Sequence, residues 1–157
     1  MPNPGATYTV RGVTVATAGT IDHAAFSIWN PSATKRIELL EFGIFCVTAP
    51  VATAGLYMRR ITARGTAGST ATPAIPNSVQ NDAVPDSGFL LDLAVFTVQP
   101  TLAANPGMKG WVPGAAVGAG IVLPVRDVVI PAGTGIAWLN RAAAIFPASE
   151  VYVVVAD

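Results

Sequence analysis

The stretch from residue 127 to residue 140, D-V-V-I-P-A-G-T-G-I-A-W-L-N, constrains the fold more than any other part of the sequence. Its β-branched run 128–130 meets Pro131, whose fixed φ suits the second position of a tight turn. Gly133 can take the positive φ that ends such a turn, and a second apolar run, 136–139, follows. The stretch therefore predicts a strand, a corner and another strand, with no room for a helix.

The apolar run 151–155, V-Y-V-V-V, lies close to the end of the chain. Because no polar residue marks a solvated face, this run predicts a strand buried in the middle of a sheet. The longest predicted strand spans 36–47, and its apolar alternation changes phase near Leu39 and Leu40. One extra residue flips the register of a strand, so we expect a β-bulge at that point.

Length and composition fit one domain, 1–157, with residues 1–7 as an N-terminal arm. The chain has 157 residues, 15 glycines and 13 prolines, which favours many short elements joined by turns. Further strands are predicted at 8–15, 24–30, 56–62, 89–98 and 120–125, separated by two long irregular loops, 65–88 and 100–118. About eight or nine strands without a convincing helix predict an all-β, antiparallel, jelly-roll-like β-sandwich.

The charge balance argues against several partners. Nine basic and nine acidic side chains cancel, so no net field attracts nucleic acid or an anionic membrane. The longest uncharged runs are too short for a membrane span and are broken by Pro and Gly, and we see no secretory signal. Only 11% of residues are charged while 52% are hydrophobic, which predicts a homo-oligomer whose subunits cover one another.

No residue pattern indicates catalysis or a cofactor. His23 is the only histidine and Cys46 the only cysteine, so the ligand set of a zinc site is missing. Cys46 is predicted to be a small buried hydrophobe. Glu38 and Glu41 point to opposite faces of a strand unless the bulge lies between them, and we interpret them as surface glutamates rather than an acid–base pair. We predict a protein that is not an enzyme and needs no metal or cofactor.

Two groups of residues are candidate interface residues. Arg59 and Arg60, with Arg64 close by, form the only arginine cluster, which is either an anion or partner-binding patch or a solvated strand end. Met108, Lys109 and Trp111 lie in the second long loop. A tryptophan between glycine and valine, just before a proline, does not fit strand patterning; it predicts either a plug at the end of the sandwich or an interface anchor.

Several segments together resemble the small jelly-roll decoration, or cement, proteins of tailed bacteriophage capsids. They are residues 26–31 leading into 36–44, then 130–136, then 150–155. The resemblance is one of strand pattern, size and order. It implies a trimeric knob, assembled in the host cytoplasm, that binds the major capsid protein on the surface of the virion and stabilises the head.

Two other classes of binding protein stay open. One is a carbohydrate- or receptor-binding tip domain of a phage fibre, which would use exposed aromatic residues such as Trp111 and Tyr57. The other is a trimeric module of the tumour-necrosis-factor-like kind. The long loops offer mainly Ala, Gly, Thr and Pro, which favours contacts with protein over contacts with glycan.

Overall fold

The computed structural model of the chain consists of two antiparallel β-sheets packed face to face, and the described residues contain no helix. The predicted all-β sandwich is therefore confirmed. The structure describes residues 7–17, 20–49, 55–72, 75–76, 88–104, 110–111, 117–118 and 120–157.

Within these residues there are twelve strands. In chain order they are β1 (Thr7–Thr14), β2 (Ala24–Asn30), β3 (Ile37–Cys46), β4 (Leu56–Ala63), β5 (Ser69–Ala71), β6 (Ile75–Pro76), β7 (Leu90–Leu93), β8 (Thr101–Leu102), β9 (Gly110–Trp111), β10 (Gly120–Ile130), β11 (Thr134–Asn140) and β12 (Ser149–Ala156).

The five-stranded sheet has the order β10-β3-β12-β1-β6, so the C-terminal strand lies in its middle, as its apolar sequence predicts. Burial alternates along β12, however, and only one of its two faces is fully buried. The seven-stranded sheet has the order β5-β7-β2-β11-β4-β8, and β9 also pairs with β4.

The corner predicted after residue 130 is present and connects the two sheets. β10 ends at Ile130 in the five-stranded sheet, and β11 begins at Thr134 in the seven-stranded sheet. Gly133 has a φ of 65°, and its amide donates to the carbonyl of Asn30 at 3.0 Å. The buried Asn30 side chain in turn donates to the carbonyl of Ile130 at 3.2 Å, which fixes the corner against β2.

The predicted bulge in β3 is confirmed by the pairing on both sides of that strand. Val154 of β12 lies opposite Glu41 and Val155 opposite Leu39, so Leu40 has no partner in β12. The register against β10 shifts at the same place. Because the extra residue flips the phase, the apolar side chains on both sides of the bulge point into the core.

Trp138 lies at the centre of the core between the sheets and is fully buried. Its ring stacks on Phe26 with a centroid distance of 4.6 Å and meets Phe42 edge-on at 5.1 Å. These aromatic side chains join both sheets, because Phe42 belongs to β3 and the other two to β2 and β11. Such contacts contribute beyond the burial of apolar area.

A second, smaller hydrophobic cluster covers the outer side of the seven-stranded sheet. Ala137 and Leu139 alternate with the core residues of β11 and therefore face away from the core. Phe96, which follows β7, packs in this cluster and is 6% exposed, and the half-buried Trp29 packs against it. Trp29 thus lies on the other side of β2 from Phe26 and Ile28, which belong to the main core.

Several boundaries differ from the predictions. The loops expected at 65–88 and 100–118 contain the short strands β5, β6, β8 and β9, which are too short to show alternation in sequence. Strand β7 ends at Leu93 rather than continuing to residue 98, because the chain leaves the sheet there to cover its outer side. The two strands expected within 120–130 form one bulged strand, β10.

Candidate interaction surface

Arg59 and Arg60 do not form one patch, because neighbouring residues of β4 point to opposite sides of the sheet. The Nη2 atom of Arg59 donates to the carbonyl of Ala103 at 3.0 Å. The Nη1 atom of Arg60 donates to the carbonyl of Val129, in the other sheet, at 2.8 Å. Both side chains are half-buried, and each donates to a backbone carbonyl elsewhere in the chain, so their role at an interface stays a prediction.

The third arginine of the cluster, Arg64, holds a buried carboxylate. Its Nε and Nη2 atoms donate to Asp92 at 2.7 and 2.6 Å, and Thr70 donates to the same carboxylate at 2.6 Å. Asp92 is fully buried on the outer side of β7. The hydrogen bond to Asp92 raises the pKa of the Arg64 guanidinium, while partial burial opposes this. The pair pins the segment after β4 onto the sheet.

Of the other predicted interface residues, Met108 and Lys109 lie outside the described residues. The backbone of Trp111 lies in β9, opposite Leu56 at the start of β4. Because it pairs with the first residue of β4, Trp111 lies near the end of the sandwich. The choice between a plug and an interface anchor stays a prediction.

Few features of the described residues offer chemistry. Over this part of the chain, no three His, Cys, Asp or Glu side chains are grouped so that they could hold a metal ion. No helix there has the length and apolar character needed to cross a membrane. Cys46 is buried as predicted, and burial raises the pKa of its thiol. An open cleft of about 230 Å³ is lined by Arg36, Ile37, Glu38, Val129, Ala156 and Asp157.

One end of the sandwich, which we call the loop end, gathers four connections between the sheets. The register places Thr14 opposite Ser149 and Ser149 opposite Cys46, so the ends of β1 and β3 meet the start of β12. The connections that leave from here are 15–23, 47–55 and 141–148, together with the segment before β10, of which 117–118 are described.

Backbone hydrogen bonds tie the described parts of these connections to one another. The 141–148 connection bonds to two of the others, with Thr17 donating to the carbonyl of Phe146 at 3.0 Å and Val47 to that of Ala148 at 2.8 Å. Gly118 donates to the carbonyl of Cys46 at 2.7 Å. The described parts of these connections therefore hold one another in place, which lowers the conformational entropy that this surface loses when a partner binds.

Each connection of the loop end exposes a large aliphatic side chain. The exposed fractions lie between 51% and 64% for Val15, Ile21, Val47, Val117 and Ile145. At the opposite end, the connections 31–36 and 131–133 expose no large hydrophobic side chain and carry Lys35 and Arg36. Exposed apolar residues gathered on one surface are typical of protein–protein contacts.

Sequence reasoning missed the loop end because its aliphatic residues are single valines and isoleucines among small residues. Each is unremarkable on its own, and only the topology brings them to one surface.

The two aromatic residues considered for glycan binding are Trp111 and Tyr57. The Tyr57 hydroxyl donates to the carboxylate of Asp22, and burial followed by this contact raises the pKa of Tyr57.

In comparisons with known proteins, no family model matches the chain and no curated protein matches it in sequence.

Proposed function

We propose that the protein is a non-enzymatic structural protein of a virion. In this proposal it is a decoration protein that binds the major capsid protein as a homo-oligomer, with the trimer implied by the resemblance, and stabilises the head. The proposal rests on the fold, on the low charge and on the loop end.

The strand order supports the jelly roll that the resemblance implies. Setting aside the strands of three residues or fewer, the order β1-β12-β3-β10 faces the order β7-β2-β11-β4. From β1 to β4, and again from β10 to β12, consecutive strands lie in opposite sheets. This alternation between the sheets favours a double-sheet jelly roll, the architecture common among viral capsid domains. Because a fold alone does not establish a function, the proposal also depends on the surface at the loop end.

The single observation that carries the proposal is the loop end. A decoration protein has to hold coat subunits through many modest contacts without distorting them. Burying a half-exposed valine or isoleucine stabilises a complex by about 1 kcal/mol, so the aliphatic residues of the loop end together supply several kcal/mol. The described parts of these connections are joined by backbone hydrogen bonds, so they need little rearrangement to bind a protein surface.

The test is binding to expanded, DNA-free heads assembled from the major capsid protein encoded in the same genome. The double variant Val47→Asp, Ile145→Asp should bind these heads at least tenfold more weakly, because it places two charges in the contact. Val98→Asp is the matched control, since Val98 is 58% exposed but lies away from the loop end. Trp111→Ala tests the predicted anchor and should weaken binding by about 2 kcal/mol if it is a hot spot.

A genome without a major capsid protein gene, or equal binding by wild type and the double variant, would contradict the proposal. Binding to an array of surface glycans in the absence of binding to heads would favour the fibre-tip alternative.

A further inference from the structure

The outward side of the five-stranded sheet, which we call the open face, has no cover from the described part of the chain. Neither hydrophobic cluster includes any of its outward side chains. Read across β10, β3, β12 and β1, the register gives the rows Gly120-Phe45-Glu150-Val13, Val122-Gly43-Tyr152-Arg11 and Pro124-Glu41-Val154-Thr9.

The centre of the open face is flat and rigid. The Tyr152 ring lies across Gly43, where an added Cβ would come within 2.1 Å of Tyr152 Cε1. The Tyr152 hydroxyl donates to Glu41 Oε1 at 2.7 Å, which fixes the ring. Phe45 stacks beside it with a centroid distance of 6.4 Å and an interplanar angle of 15°. The bulge in β3 is what brings Glu41 to this side of the sheet.

Valines extend this aromatic centre toward both sides. Val13 on β1 is 56% exposed and Val122 on β10 is 45% exposed. Val154 on β12 is half-buried on the same face. Aromatic and aliphatic side chains on a flat, fixed surface are the composition of the centre of a protein interface.

The charges of the open face have both signs. Arg11 lies within its rows, Arg36 lines the cleft at its edge together with Glu38, Val129 and Ala156, and Glu38, Glu41 and Glu150 supply carboxylates. Arg11 contacts Glu150 at 3.6 Å with 79% of its side chain exposed, so this pair contributes little and leaves guanidinium donors for a partner. Carboxylates are in excess on this face, so in a pair of facing copies the exposed Arg11 of each copy can meet a carboxylate of the other.

From this geometry we infer that a second copy of this chain covers the open face. The inference rests on the proposed function for the homo-oligomer and deepens it. A face that packs against its own copy makes a two-fold dimer, so the open face gives a dimer in place of the trimer implied by the resemblance and leaves the loop end for the coat protein. Four strands about 4.8 Å apart and about four rows of side chains give a face of roughly 20 by 27 Å. That is about two thirds of the roughly 800 Å² that each partner contributes to a standard interface.

The experiment measures the oligomeric state of the isolated full chain by light scattering over a concentration series. Val13→Asp and Val122→Asp each place a charge in the open face and should raise the concentration needed for association at least tenfold. Val98→Asp is again the matched control, with 58% exposure on the other side of the molecule, and should associate like wild type. Thermal unfolding of each variant checks that the fold is kept.

A wild-type monomer at the highest concentration, or association unchanged in both open-face variants, overturns the inference. A wild-type monomer whose Val13→Asp variant loses binding to heads would assign the open face to the coat protein instead. The outcomes separate the two proposals, since association is measured without heads. Loss of association with head binding retained affects only this inference, and the reverse affects only the proposed function.

Discussion

The two outer sides of the sandwich differ in how the chain treats them. The outer side of the seven-stranded sheet is covered by the chain itself, through the second hydrophobic cluster with Phe96 and through the Arg64–Asp92 pair. The open face of the five-stranded sheet has Phe45 and Tyr152 half-buried at its centre and Val13 exposed beside them.

The comparison shows where the fold is complete and where it is not. Because the chain leaves the sheet after Leu93, it folds back over the seven-stranded sheet. The side that would otherwise be exposed to solvent becomes a second small hydrophobic core. Nothing in the described residues does this for the open face. An apolar surface on a chain with only 11% charged residues is therefore concentrated where a partner can bury it.

The largest expected loss of stability comes from removing a side chain that covers the outer side of the seven-stranded sheet. Phe96→Ala should lower the free energy of unfolding by about 3 kcal/mol, because a nearly buried aromatic side chain is lost from the small cluster. Phe45→Ala, on the open face, is the matched control and should cost about 1 kcal/mol in the isolated chain, since Phe45 is only half-buried. Urea unfolding of both variants gives the comparison, and equal losses would show that the two sides are equally covered.

The ion pairs on the two outer sides of the sandwich, Arg64–Asp92 and Arg11–Glu150, should also contribute differently to stability. Asp92→Ala leaves Arg64 without its partner at a buried position and should cost about 2–3 kcal/mol, below the usual 3–5 kcal/mol because Arg64 is 36% exposed. Glu150→Ala removes the exposed pair with Arg11 and should cost under about 1 kcal/mol. Chemical denaturation at low and high salt measures both. If Asp92→Ala lost as little stability as Glu150→Ala, and this loss depended on salt, the Arg64–Asp92 pair would not act as a buried ion pair.

Local rules predict the long strands well. The phase change in the apolar pattern predicts the bulge at Leu40, and the Pro131–Gly133 corner is dictated by turn chemistry, since only certain residues adopt those dihedral angles. The apolar run 151–155 of β12 similarly predicts its central place in a sheet. Each of these signals lies within a few neighbouring residues.

The surfaces could not be predicted in this way because they depend on register between distant strands. Glu41, Tyr152 and Arg11 share the open face only because β12 lies between β3 and β1. Asp92 looks in sequence like a solvated charge, yet Arg64 reaches it from a segment 28 residues away. The arginine cluster left both a binding patch and a solvated strand end open, and only the structure shows that strand alternation sends Arg59 and Arg60 to opposite sides.

The smallest expected effect concerns two tyrosines, one on each outer side. Burial, followed by the hydrogen bond and the charge of Glu41, raises the pKa of Tyr152 to about 12. Its ordinary value is about 10, so the folded state holds this proton more tightly than the unfolded state. The stability that Tyr152 contributes is therefore fully present below about pH 10 and is lost as the pH rises toward 12.

Tyr152→Phe removes both the hydrogen bond to Glu41 and the titration. At pH 8 the variant should be less stable than wild type by about 1 kcal/mol or less, the net value of one partly exposed hydrogen bond. Between about pH 10 and 12 the wild type loses this advantage, so the two unfolding free energies should converge. Tyr57→Phe is the counterpart on the covered side, where the pKa is also raised by burial and by Asp22, and its difference from wild type should narrow in the same direction. Urea unfolding at intervals from pH 8 to 12 follows both variants. A constant gap between wild type and Tyr152→Phe across this range would mean that the ring is not fixed by Glu41, and the flat centre of the open face would then lose its main support.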